Sequence, residues 1–114
     1  MADVSAKELI RESKLGIGKL AGKHQELAKA FGGLKAATLQ EGDLTVKVKE
    51  LIAVGIAVQA GCGFCIAHHV EACLKAGATE EEIAEACGVA VLMGGGPALM
   101  YSGMAMEMVE ELKK

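Results

Sequence analysis

The stretch Leu51-Ile-Ala-Val-Gly-Ile-Ala-Val-Gln-Ala-Gly-Cys-Gly-Phe-Cys-Ile-Ala-His-His-Val70 carries no Asp, Glu, Lys or Arg. It is as long as a membrane-crossing helix needs to be, about 20 residues. Its content argues against that reading, because Gln59, Cys62, Cys65, His68 and His69 all fall inside it. Gly61-Cys62-Gly63 also breaks it, since glycine on both sides of one residue frees the backbone there. The stretch therefore reads as two helices buried on most faces. The first runs from about Val46 to Ala60, and the second from the break to a glycine stop at Gly77. A second uncharged run, Ala86–Met106, is divided by Gly94-Gly95-Gly96-Pro97 and reads the same way. No membrane partner is expected.

The flanks supply the ends of these helices. Asp43 or Thr45 can cap the helix that starts at Val46. Thr79 and Glu82 make a capping box for a helix reaching about Met93. Pro97 suits the first position of a last helix, which ends in Lys113 and Lys114, cations that complement a helix C-terminus. Upstream, Ser5 and Glu8 form another capping-box pattern, opening a helix that Gly16, Gly18 and Gly22 are expected to weaken or interrupt. Leu27, Ala30, Phe31 and Leu34 keep helical spacing and predict a second helix ending before Gly42. With nineteen alanines, one proline and no alternating apolar-polar run, the fold class is all-α. The expectation is a compact bundle of about six helices forming a single domain over residues 1–114.

At 52% hydrophobic residues the chain has the composition of a folded protein. A formal net charge of −3, a single arginine (Arg11) and 3% aromatics disfavour a nucleic-acid partner, which needs a basic stripe and stacking surfaces. The opening stretch has no apolar signal region, so the expected location is cytoplasmic. Two long uncharged helical stretches are more apolar surface than a small domain can hide, which predicts a homo-oligomer.

Cys62-Gly-Phe-Cys65 is a C-x-x-C, and His69 follows Cys65 by four residues. On a helix these positions are i, i+3 and i+7, on one face. Cys62 stands at the helix start, where unpaired amide groups and the dipole favour a thiolate. A thiolate attacks a peroxide or a disulfide, and a second thiol one turn away can close a disulfide. His69 is placed to take or relay a proton from either sulfur. Two other readings stand beside this one. Cys62, Cys65, His69 and Cys73 have zinc-ligand chemistry, although one helix face is a poor tetrahedral cage. The other is two inert cysteines, because free cysteine packs as a small hydrophobe, but glycine at 61 and 63 opens the backbone beside the sulfurs and argues against it. Cys73 and Cys87 lack a partner at short spacing and read as core. His68 points about 100° from His69 and reads as packing or interface, and His24 as solvated. Met100, Met104 and Met108 form an i, i+4, i+8 stripe that reads as core or interface filling rather than a copper site. Glu50, between Lys47 and Lys49, reads by itself as a surface glutamate paired with lysine.

The run Lys47-Val-Lys-Glu-Leu-Ile-Ala-Val-Gly-Ile-Ala-Val-Gln-Ala-Gly-Cys-Gly-Phe-Cys-Ile-Ala-His-His69 resembles the alkylhydroperoxidase D-like, or carboxymuconolactone decarboxylase, family. The downstream Gly77-Ala-Thr-Glu-Glu-Glu-Ile-Ala-Glu-Ala and the Gly-Gly-Gly-Pro turn fit it too, so the resemblance covers about residues 27 to 110. Its pattern is a glutamate, eleven residues, C-x-x-C, three residues and a histidine, and Glu50, Cys62, Cys65 and His69 match it position for position. The resemblance implies an all-helical thiol peroxidase, a trimer or hexamer, acting on a hydroperoxide with a dithiol or protein-disulfide reductant and no cofactor or metal. By the same resemblance Cys65 is the thiol oxidised by peroxide, Cys62 resolves it, and Glu50 and His69 relay the proton. Helix-start electrostatics, worth about 1 kcal/mol, favour Cys62 instead. The peroxidase proper has a histidine between its cysteines, where this chain has Gly63-Phe64. Carboxymuconolactone decarboxylase itself acts on a small polycarboxylate and wants clustered cations, which a lone Arg11 does not supply. The class outside catalysis is an oligomeric scaffold whose cysteines only sense oxidation.

Overall fold

The computed structural model describes residues 5–113. Six helices follow one another: α1 (Ala6–Lys23), α2 (Gln25–Leu39), α3 (Val46–Ala60), α4 (Gly63–Lys75), α5 (Glu80–Gly94) and α6 (Gly96–Leu112). There is no strand among the described residues, and no described helix is long and apolar enough to cross a membrane.

Local chemistry explains the ends. Thr45 Oγ1 accepts the Val48 amide at 3.1 Å and starts α3 where the sequence places it. Gly61 closes α3 in the left-handed region at φ 69, its N–H directed to the Ala57 and Val58 carbonyls. The Tyr101 ring of α6 lies against that glycine, so a side chain at 61 meets both backbone strain and an occupied space. The capping box of α5 is complete: Thr79 Oγ1 accepts the Glu82 amide at 3.0 Å, and Glu82 Oε1 accepts the Thr79 amide at 2.9 Å.

Helix α1 departs from expectation. It runs unbroken through Gly16, Gly18 and Gly22, each of which costs about 1 kcal/mol relative to alanine. Its first turn is anchored from the far end of the chain. Glu111 of α6 accepts from the Ala6 amide at 2.7 Å, the Lys7 amide at 3.1 Å and the Ser5 hydroxyl at 2.8 Å. These are amides that a helix start leaves without partners, and Ala6 and Ile10 beside them are buried. Burial disfavours the Glu111 charge, but the Ala6 and Lys7 amides and the Ser5 hydroxyl outweigh it and hold the carboxyl below its ordinary range. Glu8 does not fold back; it pairs with Arg11 at 2.8 Å.

Helix α3 is the centre of the bundle, packed against α4, α5 and α6, while α1 crosses α4 and α6. Val54, Val58, Ile66, Val70, Ile83, Met108 and Val109 fill the space between them. The methionine stripe divides: Met108 is core, Met104 is half-buried and Met100 is exposed, because α6 turns only one edge inward. At Gly94 the α5 backbone lies against the Gln59 amide of α3, an exposed side-chain end that a methyl group there would push aside.

Candidate functional site

The turn at Gly61-Cys62 folds α4 back beside α3, and this reversal brings residues nineteen apart in sequence into contact. His69 Nδ1 and Glu50 Oε1 are 2.6 Å apart. A carboxylate only accepts, so the ring donates from Nδ1 and its Nε2 is left as the proton-accepting atom. Glu50 is 6% exposed, and His69 keeps a solvent-facing edge. The surface reading of Glu50 is thus corrected. Both lysines expected to hold it are engaged elsewhere: Lys47 Nζ with Glu82 at 3.0 Å, and Lys49 Nζ with the Thr38 and Gln40 carbonyls at 2.9 and 2.6 Å.

Cys62 and Cys65 are joined as a disulfide with Cα atoms 5.2 Å apart, inside the range such a bond spans. Cys62 is not a helical position but the N-cap of α4, and its sulfur accepts the Cys65 amide at 3.2 Å. Of the three residues placed on one helix face by spacing, Cys65 and His69 are therefore a true i, i+4 pair, with Cys62 curled over the helix start. Side chains on a helix lean toward its N-terminus, which tips the His69 ring toward the turn that carries Cys65. Cys65 is exposed and Cys62 half-buried. The surround is apolar. Leu9 and Met104 approach the Gly63 backbone, Tyr101 covers Gly61, and Phe64 is exposed at the rim.

The remaining thiols behave differently. Cys73 and Cys87 are free and buried, as the core reading expects. Burial, reinforced by the Glu50 charge, pushes the Cys73 thiol up to about 12, and burial also raises Cys87. The four residues of the zinc reading are not gathered, since Cys73 is inside and Cys65 outside. Among the described residues no group of three or more His, Cys, Asp or Glu is placed to hold a metal. His24 is exposed between α1 and α2.

His68 has a partner the sequence did not suggest. Its Nε2 lies 2.6 Å from Ser13 Oγ, and that hydroxyl donates to the Ile10 carbonyl at 2.8 Å. The hydroxyl proton is thus committed, so His68 donates from Nε2. Burial, then the charges of Lys35 and His69, lower the His68 pKa. No local pattern links positions 13 and 68, which meet only because α1 crosses α4.

Residues 25–107, from the start of α2 to within α6, match the model of a known protein family. The chain belongs to the carboxymuconolactone decarboxylase family. A carboxymuconolactone decarboxylase family protein from Legionella pneumophila superposes with a TM-score of 0.93 at 38% identity, over 96% of this chain and 97% of that one. Another family member, from Thermotoga maritima, superposes with a TM-score of 0.82 at 30% identity, over 91% of this chain and 89% of that one. That protein is described as having a possible part in the antioxidative response. Among curated sequences, an uncharacterized protein of Cupriavidus necator is 43% identical over 73% of this chain and 74% of its own length. An uncharacterized protein of the cox locus in Paracoccus denitrificans is 31% identical over 98% of this chain and 97% of its own length. The family match begins at the start of α2, so Ser13 and the α1 contact to His68 lie outside it.

Proposed function

We propose that this carboxymuconolactone decarboxylase family protein is a thiol-dependent peroxidase, an oxidoreductase that reduces hydroperoxides through the Cys62–Cys65 pair. The observation that carries the reading is the His69–Glu50 hydrogen bond, one helical turn from an exposed sulfur already engaged in a disulfide. A buried carboxylate holding one imidazole nitrogen, with the ring one helical turn from a cysteine, supports a nucleophile–base–orienter reading. The possible antioxidative part of the Thermotoga relative points the same way.

The cycle is balanced in protons and electrons. A dithiol donor, small or protein-borne, reduces the disulfide and leaves Cys62 and Cys65 as thiols. His69 Nε2 takes the Cys65 proton, and Glu50 stabilises the imidazolium through Nδ1. The Cys65 thiolate attacks the terminal peroxide oxygen, the O–O bond breaks, and the leaving alkoxide takes the proton from His69 to give an alcohol. Cys65 is then a sulfenic acid. The Cys62 thiol attacks that sulfur, water leaves, and the disulfide is restored. Glu50 acts through His69 and never touches the peroxide. The cycle suits a reducing cytoplasm, where donors of this kind are available. Arg11, the lone arginine, is exposed and tied to Glu8, so it supplies no cation cluster for a polycarboxylate.

The test is peroxide consumption with a panel of dithiol donors, for the wild type and for Cys65→Ser. Steady turnover by the wild type and none by the variant is expected. One equivalent of oxidation without turnover reduces the protein to a redox-sensing scaffold.

A further inference from the structure

Every hydrogen-bonding group of Cys62 is in use. Its N–H reaches back to the Ala57 carbonyl at 3.2 Å, and the neighbouring Gly61 N–H reaches the Val58 carbonyl at 3.2 Å. This crossed pair is a Schellman stop for α3, and it needs the left-handed backbone that Gly61 adopts at φ 69. In the other direction the Cys62 carbonyl accepts the Ile66 amide at 2.9 Å, and its sulfur accepts the Cys65 amide at 3.2 Å. One cysteine thus ends one helix and starts the next.

Glycines flank that cysteine, and side chains from two other helices close on them. The Cε2, Cζ and Oη atoms of Tyr101 on α6 lie 3.2, 3.4 and 3.6 Å from where a Cβ at position 61 would stand. At position 63 the corresponding distances are 3.8 Å to Leu9 Cδ1 of α1 and 4.0 Å to Met104 Sδ of α6. The contacts at 63 are ordinary van der Waals separations, whereas the tyrosine ring sits closer than that. Tyr101, Met104 and Leu9 are partly buried and packed against the core, so each has a firm footing. Tyr101 and Met104 stand i, i+3 on α6, and one face of that helix therefore backs the turn.

We propose that Tyr101 is a positioning residue for the Cys62–Cys65 couple, its ring holding the Gly61-Cys62 turn in one place whether the sulfurs are bonded or free. The inference deepens the thiol reading of the site and rests on it. A disulfide between partners already fixed by the fold closes with little further loss of freedom. In the oxidised protein the S–S bond itself restrains the turn. In the reduced protein that restraint falls to the helix-end hydrogen bonds and to the ring lying on Gly61. Without the ring, the reduced turn gains freedom that disulfide formation must then remove, and the equilibrium moves toward the dithiol. A ring that merely supported the fold would stabilise both redox forms alike and leave this equilibrium unmoved.

The test is equilibration of the wild type, Tyr101→Phe and Tyr101→Ala in glutathione buffers, with free thiols counted by mass spectrometry after acid quenching and alkylation. In each exchange two glutathione thiols become one glutathione disulfide, and Cys62 and Cys65 take up the electron pair and two protons. The equilibrium constant for reduction is expected to be about tenfold larger for Tyr101→Ala than for the wild type, a potential about 30 mV less negative. Tyr101→Phe keeps the two ring carbons nearest Gly61 and is expected to match the wild type. Far-ultraviolet circular dichroism of both redox forms checks folding. If the alanine variant loses helical signal, Tyr101→Leu replaces it and is read by the same outcomes.

An alanine variant with the wild-type equilibrium overturns the proposal, and so does a phenylalanine variant shifted as far as the alanine one. Peroxide plays no part in this readout. A wild type that equilibrates with glutathione but turns over no peroxide contradicts the proposed function, while the comparison among the three proteins still decides the role of Tyr101.

Discussion

The Glu50 carboxylate meets His69 Nδ1 at 2.6 Å across the α3–α4 hairpin. That single contact turns two residues of ordinary sequence context into a charge-and-proton pair, and it fixes which imidazole nitrogen is free.

Glu50→Gln keeps the shape of the contact and removes the charge behind His69. Alkylation of the reduced protein at neutral pH is expected to slow by roughly tenfold, the loss of thiolate that a rise of about one pKa unit produces. The difference should close above about pH 9, where an ordinary thiol is ionised without help. An unchanged pH profile of alkylation and turnover returns Glu50 to a purely structural role.

The two pairs of cysteines should separate by reactivity. After reduction, native protein is expected to take up label at Cys62 and Cys65 only, because burial holds Cys73 near 12 and raises Cys87. Labelling in denaturant should reach all four. Fast native labelling at Cys73 contradicts the packing described for α4.

Glu111 ties the chain's two ends together, and its effect on stability has a definite sign. Its folded carboxyl titrates below the ordinary 4.5. The stabilisation is therefore complete above the unfolded value and is lost as pH falls through the folded one. Glu111→Gln is expected to cost about 1 kcal/mol at neutral pH, the scale of a lost helix cap, and to flatten the acid limb of the stability curve. Denaturant titrations between neutral pH and pH 3 measure both effects. Equal slopes in the two proteins remove Glu111 from the account.

The six-helix architecture was legible because its punctuation is local. Thr45, Gly61, Thr79 and Pro97 mark helix ends within a turn of themselves, and the expected span Val46 to Ala60 is the observed one. The C-x-x-C was legible for the same reason. Glu50 was not legible from its neighbours. Between two lysines it looks solvated, and its burial depends on where α4 returns, which no window around residue 50 encodes; only the resemblance to a family pattern picked it out. Helix α1 shows the reverse error. Its glycines signal a break, but Glu111, more than a hundred residues away, holds the first turn. The Ser13–His68 contact is likewise a product of two helices crossing.

The order of attack is the centre of the proposed mechanism, since helix-start electrostatics favour Cys62 and the proposed Glu50–His69 relay favours Cys65. Mass spectrometry of reduced Cys62→Ser and Cys65→Ser after one equivalent of an organic hydroperoxide decides between them. The account expects Cys62→Ser to gain the mass of one oxygen at Cys65, trapped as a sulfenic acid by a dimedone-type reagent, while Cys65→Ser stays unmodified on that timescale. Rapid oxygen gain at Cys62 in the Cys65→Ser protein, with none at Cys65 in the other, contradicts it.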